Sequence, residues 1–284
     1  MNSTNGTDSK IKREFLFTEN DFKFIRELVY KVSGIHLSDV KQDMVYSRLA
    51  RRLRVLKFKR FEEYCQYLDD NHEAELSHAI NAITTNLTHF FREEHHFDLL
   101  KGTILPELSR TQPRGKRLRI WSAGCSTGEE PYSIAISMLD ALPNHSQWDT
   151  KILATDLDSN VIEKCRAGTY DSKRIDPIED RNAKRWFKPL ANKPNQVIVD
   201  QELKKYITFK QLNLMEHWPI KGPFDVIFCR NVIIYFDKPT QQKLFNRFYE
   251  LLAPGGYLFL GHSEQLGEFQ KNFTLLGKTS FKKI

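Results

Sequence analysis

Two adjacent glutamates follow a short loop of small residues, and their position indicates the charge of the ligand that the loop could bind. The loop, residues 123–128 (Ala-Gly-Cys-Ser-Thr-Gly), separates an apolar stretch from a helix that is expected to begin at Glu129 and Glu130. A helix N-terminus normally attracts anions such as phosphate. Two carboxylates there would repel a phosphate and attract a cation, although they could also simply complement the helix dipole.

Several further residues lie where apolar, strand-like stretches of the chain end. These are Asp156, Asn213 with its neighbour Leu214, Arg230, Asn231 and Tyr235. Ligands of open α/β sheets bind beyond the carboxyl ends of the strands, where an acid can accept hydrogen bonds from ribose hydroxyls. S-adenosylmethionine fits this pattern, because it combines an adenosine with an ammonium and a sulfonium and has no phosphate. A capping aspartate at 156 and a turn asparagine at 231 are the alternatives.

Strand-like and helical stretches alternate in the second half of the chain, which predicts a mostly parallel sheet with helices on both faces. The expected strands are 118–123, 152–156, 207–212, 224–229 and 257–260. Residues 171–205 interrupt the alternation with mixed charge and a strand-like stretch at 196–199, so we interpret them as an insertion. Thr88 is expected to cap a helix that contains Phe90 and Phe91.

The beginning of the chain has a different character, since its apolar residues recur at helical spacing. We interpret residues 1–13 as a flexible tail, 14–75 as a helical domain, 76–87 as a linker and 88–284 as the domain that contains the sheet. Asp21 is expected to cap the first helix.

The net charge of +7 is concentrated in one segment, because residues 41–60 hold eight basic residues and one acid. Within the helix expected over 40–57, Arg51 and Arg54 point away from the apolar stripe, while Arg48 and Arg52 flank it. A concentrated basic face indicates an acidic partner, although a charged helix face is often only solvated.

Other function classes receive no support from the sequence. No stretch resembles a signal peptide, and no apolar run approaches the roughly 18 residues needed to cross a bilayer, so a cytoplasmic location is expected. The four cysteines lie far apart, which favours buried, reduced thiols over a zinc site or disulfides. The spacing of histidines, cysteines and acids predicts no metal site.

Four motifs together make the interpretation specific. They are Thr84-Thr-Asn-Leu-Thr-His-Phe-Phe-Arg-Glu93, Ser126-Thr-Gly-Glu-Glu-Pro-Tyr-Ser-Ile-Ala135, Phe228-Cys-Arg-Asn-Val-Ile-Ile-Tyr-Phe236 and Gly261-His-Ser-Glu264. In this order they resemble the chemotaxis receptor methyltransferases, the CheR family. The basic segment at 41–54 is similar to the second helix of that family, and the resemblance extends from about Phe15 to the C-terminus.

The resemblance implies an all-α, receptor-binding N-terminal domain, followed by the doubly wound sheet of a class I S-adenosylmethionine methyltransferase with a small antiparallel β-subdomain inserted at 171–205. It implies that Arg92 and Tyr235 lie beside the transferred methyl group. The implied cofactor-binding residues are Asn86, Thr88, Arg92, Glu130, Asp156, Asn213, Leu214, Arg230 and Asn231. The implied substrate-binding residues are Arg48, Arg51, Arg52 and Arg54.

The expected reaction is methylation of receptor glutamates, with S-adenosylhomocysteine as the second product and no metal. The expected partner is the cytoplasmic helical domain of chemoreceptors, bound by a monomer that neither enters the membrane nor binds nucleic acid. The alternatives are a nucleic-acid methyltransferase, whose Asn/Asp-Pro-Pro-aromatic turn is replaced here by residues 230–235, and an inactive sensor. Residues 188–196 contain no glycine, unlike the glycine-rich loop with which many family members grip a receptor peptide.

Overall fold

The computed structural model describes residues 13–70, 72–111, 116–142, 145–178 and 184–284. The predicted flexible tail, apart from Arg13, lies outside these described residues. The chain divides into two compact units. The first contains the described residues up to Val32 together with His36–Ile83, and the second contains Ser33–Ile35 and Thr84–Ile284.

The described part of the first unit is helical. Its helices are α1 (Glu19–Ser33), α2 (Gln42–Leu56), which a 3₁₀ turn at Asp39–Lys41 precedes, α3 (Phe61–Asp70) and α4 (His72–Ile83). The predicted apolar stripe of α2 is buried, with Val45, Leu49 and Leu53 fully inaccessible to solvent. Residues 76–83 of the predicted linker belong to α4, and residues 84–87 form no regular secondary structure.

The cap of the first helix differs from the prediction. Asp21 is not the capping residue, because α1 already begins at Glu19. The Asp21 amide donates to Thr18 Oγ1 (3.2 Å), and the Thr18 amide donates to Asp21 Oδ2 (2.8 Å). This reciprocal pairing is a capping box, in which Thr18 is the cap and Asp21 occupies the third helical position.

The strands of the second unit form two sheets. They are β1 (Arg117–Ala123), β2 (Asp149–Asp156), β3 (Thr169–Asp171), β4 (Phe187–Leu190), β5 (Lys193–Val199), β6 (Ile207–Gln211), β7 (Phe224–Cys229), β8 (Leu252–Leu260), β9 (Phe273–Gly277) and β10 (Ser280–Lys283). The large sheet has the order β6-β2-β1-β7-β8-β10-β9. Its first five strands in this order are parallel, while β10 pairs antiparallel with both β8 and β9. The predicted class of fold is confirmed.

The central strands are buried on both faces, as in other parallel sheets. Ile120 of β1 packs in one apolar cluster and Trp121 in the other, and alternate residues of β7 and β8 divide in the same way. The second unit also contains the helical elements α5 (His95–Leu99), a π-helical turn (Leu100–Ile104), α6 (Leu105–Thr111), α7 (Glu129–Ala141), α8 (Ser159–Ala167), α9 (Gln201–Lys204) and α10 (Lys238–Leu251).

The helix predicted to begin at Thr88 begins only at His95. Phe91 and Glu93 have φ angles of 54° and 57°, which are left-handed values that a helix cannot contain. The segment from Phe90 to Glu94 is therefore a sharp turn, and this turn directs Glu93 into the site described below.

The inserted β-subdomain is the antiparallel sheet β3-β5-β4, and it begins at Thr169, two residues before the expected position. The stretch without glycine forms the β4–β5 hairpin. All four cysteines are free and buried, as the sequence indicated. Helices in the described part of the chain are too short or too polar to cross a bilayer.

Candidate functional site

The carboxyl ends of three neighbouring strands bring the predicted residues together. Strand β1 pairs in parallel with β2 on one side and with β7 on the other. The loop after β1, Asp156 at the end of β2 and Arg230 after β7 therefore lie along one edge of the sheet. The amides of Gly124 and Cys125 donate to the Thr155 carbonyl (2.8 and 2.9 Å), which holds the loop against β2.

Two glycines of this loop are required by its geometry. Gly124 and Gly128 have φ angles of 93° and 100°. A Cβ at Gly124 would collide with the side chain of Val232, and one at Gly128 would lie 2.7 Å from the Tyr170 hydroxyl oxygen. Residues with side chains would be both strained and too large at these positions.

The adjacent glutamates at the start of α7 have different roles. Glu129 is fully buried and accepts hydrogen bonds from Arg174 (2.8 Å) and from Thr127 Oγ1 (2.6 Å). Glu130 accepts from Ser122 Oγ (2.7 Å) and from Arg230 (3.2 Å). Burial raises the pKa of Glu130, while the positive charge of Arg230 opposes this change. Glu129 is fully buried and paired with Arg174, so only Glu130, which is partly accessible, could serve a cationic ligand, and Arg230 partly offsets its charge.

Arg230 is the centre of a buried network of charges. Its guanidinium lies 3.2 Å from Glu130 and 3.4 Å from Glu93, donates to the Arg92 carbonyl, and lies 5.5 Å from the centroid of the Phe97 ring. Its Nε is buried and has no hydrogen-bond partner among the described residues. Buried polar atoms seldom lack a hydrogen-bond partner, so we expect a ligand to supply the acceptor for this N–H group.

Glu93 joins this network from the turn before α5, and its position in the sequence did not indicate a role for it. Burial opposes its ionisation, but a hydrogen bond from His262 and the charge of Arg230 hold the pKa of Glu93 at about 2. Asn231 Nδ2 also donates to Glu93 (3.4 Å). Glu93 is therefore ionised at neutral pH and connects its own motif with the motifs that contain Asn231 and His262.

Asp156 lies at the end of β2 and anchors the loop beside it. Its Oδ2 accepts from the amide of Ser126 (2.8 Å) and its Oδ1 from the amide of Asp158 (3.0 Å). Burial raises the pKa of Asp156 to about 6 in spite of these hydrogen bonds. The capping role belongs to Asp158, whose carboxylate accepts from the amide of Asn160 at the start of α8 (2.8 Å).

The segment before α5 contacts the same edge of the sheet. Asn86 donates to Asp158 (2.9 Å), and its carbonyl accepts from Ser126 Oγ (3.0 Å). The Thr88 carbonyl accepts from Arg174, which also binds Glu129 (3.0 and 2.8 Å).

Arg92 is partly exposed. It donates to the carbonyl of Leu87 (2.9 Å), within the same segment.

Asn213 and Leu214 follow β6, next to β2. The Asn213 side chain accepts from the Met215 amide and donates to Glu216 (both 3.0 Å), so it forms a turn of its own. Leu214 is buried, and its carbonyl accepts from Trp218 and Arg247.

The turn after β7 is held by one buried carboxylate, Glu264, which belongs to the last of the four motifs but was not predicted to have a role of its own. It accepts from the amides of Asn231 (2.9 Å), Val232 (2.9 Å), Ile234 (3.2 Å) and Gly261 (2.5 Å). Asn231 has a φ of 58°, a left-handed value that asparagine tolerates better than most residues. Glu264 therefore stabilises the left-handed backbone conformation of this turn through its four hydrogen bonds.

Tyr235 ends the 3₁₀ turn that follows Asn231. It is partly exposed, and its hydroxyl has no hydrogen-bond partner among the described residues. A substrate or ligand can therefore reach it.

The four arginines of α2, in the first unit, are not equivalent. Arg52 forms two hydrogen bonds with the buried Glu75 (2.9 and 2.6 Å), which also accepts from Tyr64 (2.8 Å). Arg48 donates to the carbonyl of Ile83. These two side chains stabilise the helical unit itself.

Arg54 and Arg51 are exposed. Arg54 forms a surface pair with Glu14 (2.6 Å), and Arg51 has no ionic partner among the described residues.

Comparisons with known proteins identify the family of the chain. Residues 86–282 match the family model "CheR methyltransferase, SAM binding domain", and residues 20–84 match "CheR methyltransferase, all-alpha domain". The chain is 44% identical to the "Chemotaxis protein methyltransferase" of Escherichia coli over 92% of this chain and 89% of that protein. It is 44% identical to "Chemotaxis protein methyltransferase 2" of Pseudomonas aeruginosa over 95% of each. It is also 44% identical to the "Probable chemotaxis protein methyltransferase" of Rhizobium etli, over 90% of this chain and 96% of that protein.

Proposed function

The chain belongs to the CheR family of S-adenosylmethionine-dependent methyltransferases, and from this membership we propose that it methylates glutamate side chains of chemotaxis receptors. The products are glutamate methyl esters and S-adenosylhomocysteine. The observation that carries the proposal is the edge of the sheet where Asp156, Glu130 and Arg230 converge within a chain that matches both domains of this family.

The residues at this edge suit the parts of the cofactor. Asp156 is assigned to the ribose hydroxyls, and Asn213 and Leu214 to the adenine. The carboxylate of the cofactor's amino-acid end would supply the acceptor that the buried Nε of Arg230 lacks. The remaining cofactor-binding assignments are Asn86, Thr88, Arg92, Glu130 and Asn231.

The bound cofactor supplies an electrophilic methyl group on a sulfonium. A glutamate oxygen would accept this methyl group, and S-adenosylhomocysteine would be released. A glutamate side chain with an ordinary pKa near 4.3 is already ionised at neutral pH, so the protein need not remove a proton. The task of the protein is alignment, which can contribute roughly 7–11 kcal/mol. We assign this alignment to Arg92 and Tyr235.

The exposed arginines of α2 are the proposed docking surface for the receptor. The cytoplasmic helical domains of chemoreceptors carry acidic methylation sites, and complementary charge accelerates and orients association. Arg51 and Arg54 are the exposed members of the predicted set of four, whereas Arg48 and Arg52 bind groups within the helical unit. We propose no role in binding nucleic acid.

The chemical stability of the transferred methyl group tests the proposal. The purified protein would be incubated with receptor and with cofactor that is radiolabelled in the methyl group, and the product would be treated with mild alkali. Release of volatile label is expected, because carboxyl methyl esters hydrolyse under these conditions. Label that stays on the receptor, or that appears only on nucleic acid, would contradict glutamate methylation.

A further inference from the structure

Three potential metal ligands converge beside the turn before α5. Glu93, His95 and His96 each offer one ligand atom, and the three atoms lie within 4.8 Å of one another. The same residues carry three buried atoms without a hydrogen-bond partner among the described residues, namely Glu93 Oε2, His95 Nε2 and His96 Nδ1. Of these, Glu93 Oε2 has an ion-pair contact with Arg230 at 3.4 Å. Three such atoms in one place need an explanation, because buried polar atoms are nearly always paired.

The orientation of His96 indicates which of its nitrogens is free. The ring is fully buried, and Nε2 lies 2.7 Å from the carbonyl oxygen of Lys278. A carbonyl can only accept, so Nε2 carries the hydrogen and Nδ1 of the neutral ring has a free lone pair. This Nδ1 lies 3.6 Å from Glu93 Oε2. Histidines that bind metals usually donate their second ring N–H to a carbonyl or carboxylate in this way.

Glu93 is held in place from its other side. Its Oε1 accepts from His262 Nδ1 (3.0 Å), while the left-handed backbone of Glu93 (φ 57°) directs the side chain inward. Oε2 is therefore left facing His96. Backbone strain of this kind is concentrated at functional sites, where the surrounding structure maintains it.

We propose that Glu93, His95 and His96 form a binding site for a divalent transition metal, and that Zn²⁺ is the ion the site suits best. One carboxylate oxygen and two imidazole nitrogens are ordinary zinc ligands, and three protein ligands leave a fourth position open. Ligand atoms of a tetrahedral zinc site lie about 3.4 Å apart. The Glu93–His96 separation of 3.6 Å is close to this value.

Arg230 limits the affinity of the site. Its guanidinium lies 3.4 Å from Glu93 Oε2, the oxygen that would bind the ion. An ion would repel this positive charge and leave Arg230 with Glu130 and the Arg92 carbonyl as its partners. We therefore expect weaker binding than in a structural zinc site, and an ion that is exchangeable. The proposal does not depend on the identity of the methylated substrate.

Titration of the metal-free full chain with Zn²⁺ and Co²⁺ tests the site without any assay of activity. Calorimetry should show one ion per chain, and Co²⁺ should acquire the visible absorption of a site with nitrogen ligands. His95→Ala should weaken binding by at least about tenfold, since it removes a direct ligand. His217→Ala removes an exposed histidine elsewhere in the second unit and is the matched control, for which no change is expected.

The unfolding temperature of each variant tests for a general loss of folding. His95 is partly exposed, so its replacement should leave the unfolding temperature almost unchanged. The absence of stoichiometric binding by the natural chain overturns the proposal. Equal affinity in His95→Ala, or a loss of binding in His217→Ala, overturns it as well, because the ion would then be held elsewhere on the surface.

Discussion

At the scale of single residues, the pairing of charges decides which side chains remain available to a ligand. Glu129 is paired with Arg174, and Glu130 with Arg230. Asp156 accepts only backbone amides, so lone pairs of its carboxylate remain for further hydrogen bonds. The two residues proposed for catalysis, Arg92 and Tyr235, are both partly exposed, as residues that meet a substrate must be.

The pKa of Asp156 predicts how cofactor binding depends on pH. Because burial raises this pKa to about 6, the carboxylate is ionised at pH 7.5 and becomes protonated as the pH falls through 6. A protonated acid accepts hydrogen bonds from ribose hydroxyls less well, so the affinity for S-adenosylhomocysteine should fall below about pH 6. Calorimetry at a series of pH values measures this change.

Asp156→Asn should bind more weakly at neutral pH and should lose the dependence on pH. Asp149→Asn, at the opposite end of β2, is the control and should behave like the natural chain. An unchanged pH profile in Asp156→Asn would exclude the ribose assignment.

Arg92 and Tyr235 are predicted to act on turnover more than on cofactor binding. Arg92→Ala and Tyr235→Ala should each reduce kcat by roughly 10²-fold, because misalignment of the reacting atoms has a cost of this order. The affinity for S-adenosylhomocysteine should change much less. Tyr235→Phe distinguishes the contribution of the hydroxyl from that of the ring. Turnover in all three variants equal to that of the natural chain would refute both assignments.

Glu264 is predicted to maintain the turn that contains Asn231. Each of its oxygens accepts two backbone amides, and Glu264→Gln would replace one oxygen with an amide donor that faces other donors. Loss of these acceptors should reduce the free energy of unfolding by about 1–3 kcal/mol. Denaturant unfolding measures this change, with the exposed Glu268→Gln as the control. Identical stability of the two variants would show that the turn does not depend on the hydrogen bonds of Glu264.

At the scale of elements, α2 combines two tasks on different faces. Its apolar stripe and the Arg52–Glu75–Tyr64 network stabilise the helical unit. Its outer face presents Arg51 and Arg54 to solvent. The four arginines that the sequence grouped together therefore fall into two classes according to their partners.

Reversal of the two exposed charges tests the outer face. Arg51→Glu combined with Arg54→Glu should slow receptor methylation at least about tenfold at low ionic strength and reduce its dependence on salt. The stability of the protein should hardly change, because exposed ion pairs contribute little. Lys23→Glu combined with Lys31→Glu, in α1, makes the same change in net charge and should have little effect. Equal rates in the two double variants would contradict a docking role for α2.

At the scale of the whole molecule, the main division between the two compact units falls at Ile83 and Thr84, close to the boundary between the two matched family models. Ser33–Ile35 is the exception, because it belongs to the second unit. The second unit contains the large sheet, its helices and the inserted antiparallel sheet. Arg174 lies in a 3₁₀ turn of this insertion, and it contacts both Thr88 and Glu129. The insertion therefore has a direct hydrogen-bonded link to the edge where the cofactor is proposed to bind.

The sequence by itself determined the class of fold, the insertion, the buried stripe of α2 and the family, because each of these depends on local periodicity or on a continuous motif. Only the tertiary structure decided that α5 begins at His95, that Asp158 caps α8, and how Glu129 and Glu130 are divided between two arginines. It also identified Glu93, which meets Asn231 across 138 positions of the chain. Hydrogen bonds and charge pairs of this kind depend on how close the ends of neighbouring strands lie in space. Residue spacing along the chain does not determine these distances.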